Sequence, residues 1–160
     1  MSSPTETDRN DAGLKFTPSE YGLFLSTLWL MPLLSRRLKR TGFKHLYTRL
    51  LRRTPLTTTV GEGLAADKCR ACRIAAVVRK TNRWYAPFVG TCMAESLALW
   101  YLLRRRHIDA VFRLGVRTLT GRFESHAWVE YAGIVLNDAQ NVAAIYEPFD
   151  LSGLHPEWRP

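Results

Sequence analysis

The chain predicts an α+β fold, and three observations predict it. Apolar residues recur at helical spacing in four stretches before residue 104, the last of them Cys92-Met93-Ala94-Glu95-Ser96-Leu97-Ala98-Leu99-Trp100. From Ala110 the period changes to two, in Ala110-Val111-Phe112-Arg113-Leu114-Gly115-Val116-Arg117 and again around His126. A glycine-bearing turn, Tyr131-Ala132-Gly133, then joins two apolar strands. The result is a helix bearing a cysteine and an antiparallel sheet bearing histidine and aspartate, behind an N-terminal helical segment. Residues 1–13 read as a disordered N-terminus and 14–63 as a basic helical segment. Residues 64–150 read as the core and 151–160 as a tail.

The chain has 160 residues, enough for one domain with a real core. Ordinary hydrophobic content and plentiful aromatics exclude a disordered protein. A formal charge of +9 and an isoelectric point near 9.9 favour acidic partners. Three cysteines are an odd count, and the Glu6- and Asp8-bearing N-terminus has no apolar signal region, so a reducing cytoplasm is expected. No nucleic-acid-binding module is recognisable, and charge alone is a weak argument for one.

Residues 1–12 are rich in Ser, Thr, Asp and Asn and read as mobile. Thr17-Pro18-Ser19-Glu20 reads as a capping box with Pro at the first helical position. The apolar run after it is too short to span a bilayer, which takes about 20 residues, and reads as a core helix, with an interfacial membrane contact as the alternative because Arg36, Arg37, Lys39 and Arg40 follow at once. Pro32 is expected to kink or end it. Thr41 is a candidate cap for a second helix, with Phe43, Leu46, Tyr47, Leu50 and Leu51 on its apolar side. Its other side carries Lys44, Arg49, Arg52 and Arg53, and no acidic residue occurs between Glu20 and Glu62. That basic face is either simply solvated or a docking face. A breaker-rich connector, 54–63, leads to a third helix over 64–81 containing Cys69 and Cys72. No second pair of ligands accompanies these cysteines, so they read as small packing residues rather than a metal site. Trp84, in the loop before Cys92, reads as packing or as a wall of a cleft.

Thr91 is a good N-cap, which puts Cys92 in the first turn of the fourth helix; Leu97, Leu99, Trp100 and Leu103 form its buried side. Free N–H groups and the positive end of the helix dipole stabilise a thiolate there. In the hairpin, a three-residue turn at Tyr131-Ala132-Gly133 would pair Glu130 with Ile134, Trp128 with Leu136 and His126 with Asp138. Opposed residues lie about 5 Å apart at Cβ, so the carboxylate would hold one imidazole nitrogen while the other faces a thiol. A two-residue turn would place His126 and Asp138 on opposite faces. His107 lies about 22 Å along the helix from Cys92 and cannot serve as its base. His45 and His155 lack an acidic partner at strand spacing and read as surface residues, and Trp158 as an anchor for the tail.

Cysteine on a helix start, then histidine and aspartate on consecutive strands, is the order of the transglutaminase-like, papain-related superfamily. Four local words are more specific: Thr91-Cys92-Met93-Ala94-Glu95-Ser96-Leu97-Ala98-Leu99, Arg104-Arg105-Arg106-His107-Ile108-Asp109-Ala110, Leu114-Gly115-Val116-Arg117 and Ser125-His126-Ala127-Trp128-Val129-Glu130. With these the chain resembles the lasso-peptide leader peptidases, the peptidase half of the B proteins, over residues 64–149 and more loosely over the helical segment before them. His107 departs from the family, which often has Gly there; this bears on the helix end. The resemblance implies a Cys92-His126-Asp138 protease that removes the leader from a ribosomally made precursor peptide without metal or cofactor. It further implies the split form of the family, with a separate leader-recognition protein and a ring-closing lactam synthetase as partners, and no nucleic acid or transmembrane segment.

Each member of the triad alone has a dull explanation: a buried helix cysteine, a satisfied core histidine, a turn-forming aspartate. Together they stand in the right order on the right elements. The competing functions are acyl transfer to an amine, a non-catalytic binding subunit and a basic nucleic-acid binder.

Overall fold

The structure, a computed structural model, describes residues 18–54, 64–85, 92–119, 121–149 and 151. The expected N-terminal tail, Thr17, the connector 55–63, the Trp84 side chain, Thr91 and the segment 152–160 with His155 and Trp158 lie outside the described residues.

Helix α1 runs Pro18–Arg53 and is broken once, at Gly42, whose φ of 74° and ψ of 167° are not helical. Such a conformation is open to glycine at no steric cost, because there is no Cβ to strain. The elbow therefore sits ten residues beyond Pro32, where the sequence pointed. The helix continues through Pro32 because Met31 and Leu34, on either side of it, are both buried in the core. Thr41 does not cap the second half; its hydroxyl donates back to Arg37 O at 2.9 Å, which satisfies the side chain within the first half. Only one side of the first half is core, through Leu23, Thr27, Met31 and Leu34. Tyr21, Leu25, Trp29 and Leu33, each one turn from the next, are exposed, Trp29 at 79%. The expectation of a plain core helix is corrected to that extent. Among the described residues no helix is long and apolar enough to cross a membrane.

Helix α2, Leu64–Tyr85, extends four residues past the predicted end. Its packing face is Ala71, Ile74, Ala75, Val77 and Val78, whereas Cys69 and Cys72 are exposed free thiols. The packing role expected of the two cysteines is thus wrong; the helical phase that buries Ala71 and Ile74 turns them outward. Helix α3, Cys92–Arg104, is the central element: Leu97, Ala98, Leu99, Trp100 and Leu103 are all buried, and α1, α2 and the sheet pack around it. His107, three residues past its end, has a φ of 59°, the left-handed conformation that commonly follows a helix. A glycine would take it more easily.

Strands β1, Val111–Leu119, β2, Arg122–Tyr131, β3, Ile134–Val135, and β4, Glu147–Pro148, form an antiparallel sheet in the order β3-β2-β1-β4. A one-turn helix α4, Val142–Ile145, precedes β4. At the lower end of α3 an aromatic cluster closes the core: Tyr47 stacks on Trp100 at 4.8 Å, and Phe112 lies against both Tyr47 and Phe43. Arg104 is buried beside it and donates twice to Thr54 O, tying the end of α1 to the end of α3. Its guanidinium also lies 5.1 Å over the Trp100 ring.

Candidate active site

Cys92 is the first residue of α3 and is half-buried against β2. Its thiol hydrogen-bonds His126, and this bond does most to hold its pKa below the usual thiol value. Burial works against it; the N–H groups of Ala127 and Met93 add to it. The Met93 N–H is one of the orphan donors of a helix N-terminus, as the sequence indicated. His126 Nε2 is hydrogen-bonded to Asp138 Oδ2, which leaves Nδ1 for the thiol. The imidazole is pushed up to about 10, first by the Asp138 bond and then by the Cys92 bond, against burial. Burial alone would raise Asp138, but the His126 bond and the Ala139 N–H prevail and hold it below the ordinary carboxylate value. The set therefore favours a thiolate beside an imidazolium, with a carboxylate behind it.

The sheet reaches this arrangement by a route other than the expected one. Tyr131 pairs with Ile134 and Glu130 with Val135, so the turn has two residues, Ala132 and Gly133, with φ of 48° and 77°. Positive φ at both is the hairpin geometry that matches strand twist. In strict alternation this register would separate His126 from Asp138. The alternation is broken at Leu136. Its N–H still donates to Val129 O at 2.9 Å, continuing the ladder. The reciprocal bond is replaced: Val129 N–H goes to the Asn137 side-chain Oδ1 at 2.9 Å, and Leu136 O accepts from Arg79 Nη1 at 3.1 Å. With a side chain standing in for a backbone carbonyl, β3 stops at Val135 and the chain bends through residues 136–138. Asp138 swings back onto His126. The predicted partners meet, through a bend rather than a paired register.

Several residues that hold this site were not singled out by sequence reasoning. Ser96, one turn after Cys92 and fully buried, donates to Ala127 O at 2.8 Å and accepts from Asn137 Nδ2 at 2.9 Å. A serine on the buried side of an apolar helix was the available signal. Tyr146 stacks on His126 at 4.9 Å. Gly115, opposite His126 in the β1–β2 ladder, makes room for it: a Cβ there would meet Tyr146 Cβ and the Trp128 ring at 2.9 Å. Glu95 accepts from Asn82 Nδ2 of α2. His107 takes no part in this set, in keeping with its place beyond the far end of α3. Among the described residues no group of three or more His, Cys, Asp or Glu side chains is arranged to hold a metal ion.

Known proteins are similar to this chain in two ways. Over 55 residues it is 47% identical to the Microcin J25-processing protein McjB of Escherichia coli, a stretch covering 34% of this chain and 26% of that protein. The match therefore spans about a quarter of the relative's length. No solved structure matches. A family model, the Transglutaminase-like superfamily, matches residues 29–149, and with most of its length inside that match the chain belongs to the transglutaminase-like superfamily.

Proposed function

We propose that this protein is a cysteine peptidase that cleaves the leader from a lasso-peptide precursor, with Cys92, His126 and Asp138 as its triad. The observation that carries the reading is the hydrogen-bonded chain from thiol to imidazole to carboxylate at the start of α3. The similarity to a microcin-processing protein supports the substrate class. The thiolate attacks a backbone carbonyl of the precursor, and the imidazolium gives its proton to the leaving amine. Asp138 keeps the ring oriented and stabilises its charged form. Water then attacks the thioester with His126 as base, releasing the carboxylate of the leader and restoring the thiol. Residues 64–150 carry this chemistry in the proposal, and residues 14–63 contribute the docking surface through their basic face.

The partner proposal rests on the elbow of α1. A groove of about 820 Å³ there is lined by Arg37, Arg40, Lys44, Arg49, Arg52 and Arg53. Among the described residues none of the six has a carboxylate within ion-pair distance. A separate recognition protein that holds the precursor docks on this cationic surface in the cytoplasm, beside the lactam synthetase.

The test is mass spectrometry of a precursor peptide incubated with the protein and its recognition partner. Wild type releases leader and core, the leader gaining water at its new end. Cys92→Ala releases neither, and Asp138→Asn is slowed on the order of 10²–10⁴-fold. Equal cleavage by Cys92→Ala overturns the reading. An amine adduct in place of added water makes the protein an acyltransferase instead.

A further inference from the structure

Glu95 is an acid on a helix that is otherwise apolar from Leu97 to Leu103, three residues after Cys92 and beside the fully buried Ser96. An acidic side chain at a half-buried position costs desolvation that an apolar one avoids. Its surroundings are specific. Asn82 of α2 donates Nδ2 to its carboxylate. Arg79, three residues earlier on the same face of α2, acts on it by charge. The same Arg79 donates Nη1 to Leu136 O, the carbonyl that the Asn137 substitution removed from the ladder. One face of α2 thus grips both Glu95 and the bend that delivers Asp138.

We propose that Glu95 is a positioning residue of the site: with Arg79 and Asn82 it holds the bend at residues 136–138, and its charge biases the Cys92–His126 pair. This rests on the thiol-protease reading and deepens it. The groups that face Glu95 are Arg79 and Asn82 from α2, His126 from β2 and Asp138 from the bend, with Cys92 on its own helix. Burial pushes the Glu95 carboxyl up to about 7; Arg79 and the Asn82 amide oppose this, Asp138 adds to it and His126 opposes it. The coupling is reciprocal: if the imidazolium favours the Glu95 carboxylate, the carboxylate favours the imidazolium. As pH rises through neutrality, Glu95 ionises, its attraction to Arg79 strengthens and the charged form of His126 is held more firmly. The balance between thiol–imidazole and thiolate–imidazolium then shifts towards the charged pair, so the reactive thiolate fraction rises as Glu95 titrates.

The experiment reads Cys92 directly and needs no precursor. Alkylation of Cys92 by iodoacetamide is followed from pH 5 to 9 by peptide mass spectrometry. The full chain carries Cys69→Ser and Cys72→Ser, because those exposed thiols would consume reagent. In this background the rate shows the titration of an activated thiol and a second rise centred near pH 7. Glu95→Gln, which keeps shape and can still accept from Asn82, loses the second rise, and its rate above pH 7 falls about threefold or more. Arg79→Lys keeps the charge but shortens the reach to Leu136 O; it lowers the rate across the range and retains the second rise. A Glu95→Gln profile that superimposes on the parent, or is lowered uniformly with the second rise intact, overturns the proposal and leaves the triad standing. A parent profile of an ordinary thiol, with half-reaction near pH 8.5, overturns the triad and this proposal together.

Discussion

The two ends of α3 are built on opposite terms. At the C-terminal end, Trp100 is sandwiched by Tyr47, Phe112 and the Arg104 guanidinium, and Arg104 is fixed to Thr54. Apolar area and a satisfied buried charge make that end the anchor. At the N-terminal end, the side chains are polar, half-buried except for the buried Ser96, and held by hydrogen bonds: Cys92 to His126, Ser96 to Ala127 and Asn137, Glu95 to Asn82. In the proposed reading the anchor secures stability and the free end the chemistry, so substitutions at the two ends are expected to separate those properties.

The largest effect breaks the comparison at the anchor. Trp100→Ala removes a fully buried aromatic and should cost about 3–5 kcal/mol, read as a lowered midpoint in urea unfolding. Cys92→Ala, at the other end, should change stability by less than about 1 kcal/mol while abolishing cleavage, since it removes a half-buried thiol from no packing layer. If Cys92→Ala were as destabilising as Trp100→Ala, the division between anchor and site would be wrong. Next in size is Glu95→Gln. The carboxyl is raised from 4.5 to about 7 on folding, so the folded state favours its proton. That contribution is complete below pH 4.5 and is lost as pH rises to 7. The difference in unfolding free energy between Glu95→Gln and wild type should therefore grow in favour of the variant between pH 4.5 and 7, by on the order of 2 kcal/mol. A difference that is flat with pH would mean that Glu95 titrates alike in both states.

How much of this was legible in the sequence follows the same division. The anchor was readable because its residues, Leu97, Trp100, Leu103 and Tyr47, recur at helical spacing, and periodicity reports burial directly. Cys92 and His126 were readable because each stands on a regular element within a distinctive local word. The way Asp138 reaches His126 was not. Alternation assumes backbone pairing to the end of the strand, and here the Asn137 amide takes the place of a backbone carbonyl, a choice that depends on Ser96 from α3 and Arg79 from α2. Such a bend is set by tertiary contacts that no local window contains. Gly42 was passed over in favour of Pro32 for a related reason: proline reports a missing donor, but whether the helix yields there depends on how firmly Met31 and Leu34 are packed on either side.

Ser96→Ala has a modest effect on stability and gives the sharpest test of how the free end works. The hydroxyl is the joint between α3, β2 and the bend. It donates to Ala127 O beside His126 and accepts from Asn137, whose other end replaces the ladder carbonyl for Val129. Alanine is nearly isosteric and opens no large cavity. What it removes is the acceptor for a half-buried amide and the donor for one carbonyl, worth about 1–2 kcal/mol. The functional loss should be larger than that figure suggests, because Asn137 freed of Ser96 can turn away from Val129 and let Leu136 re-enter the ladder. Regular alternation would then carry Asp138 to the face opposite His126. Without that carboxylate the imidazole pKa falls and the Cys92 thiol rises towards an ordinary value, since the Asp138 bond is the first cause of the raised His126 value. The alkylation profile of Cys92 in the Ser96→Ala variant should accordingly move to higher pH, while the urea midpoint shifts little. An unmoved profile would show that Asp138 keeps its place by Arg79 and the turn alone.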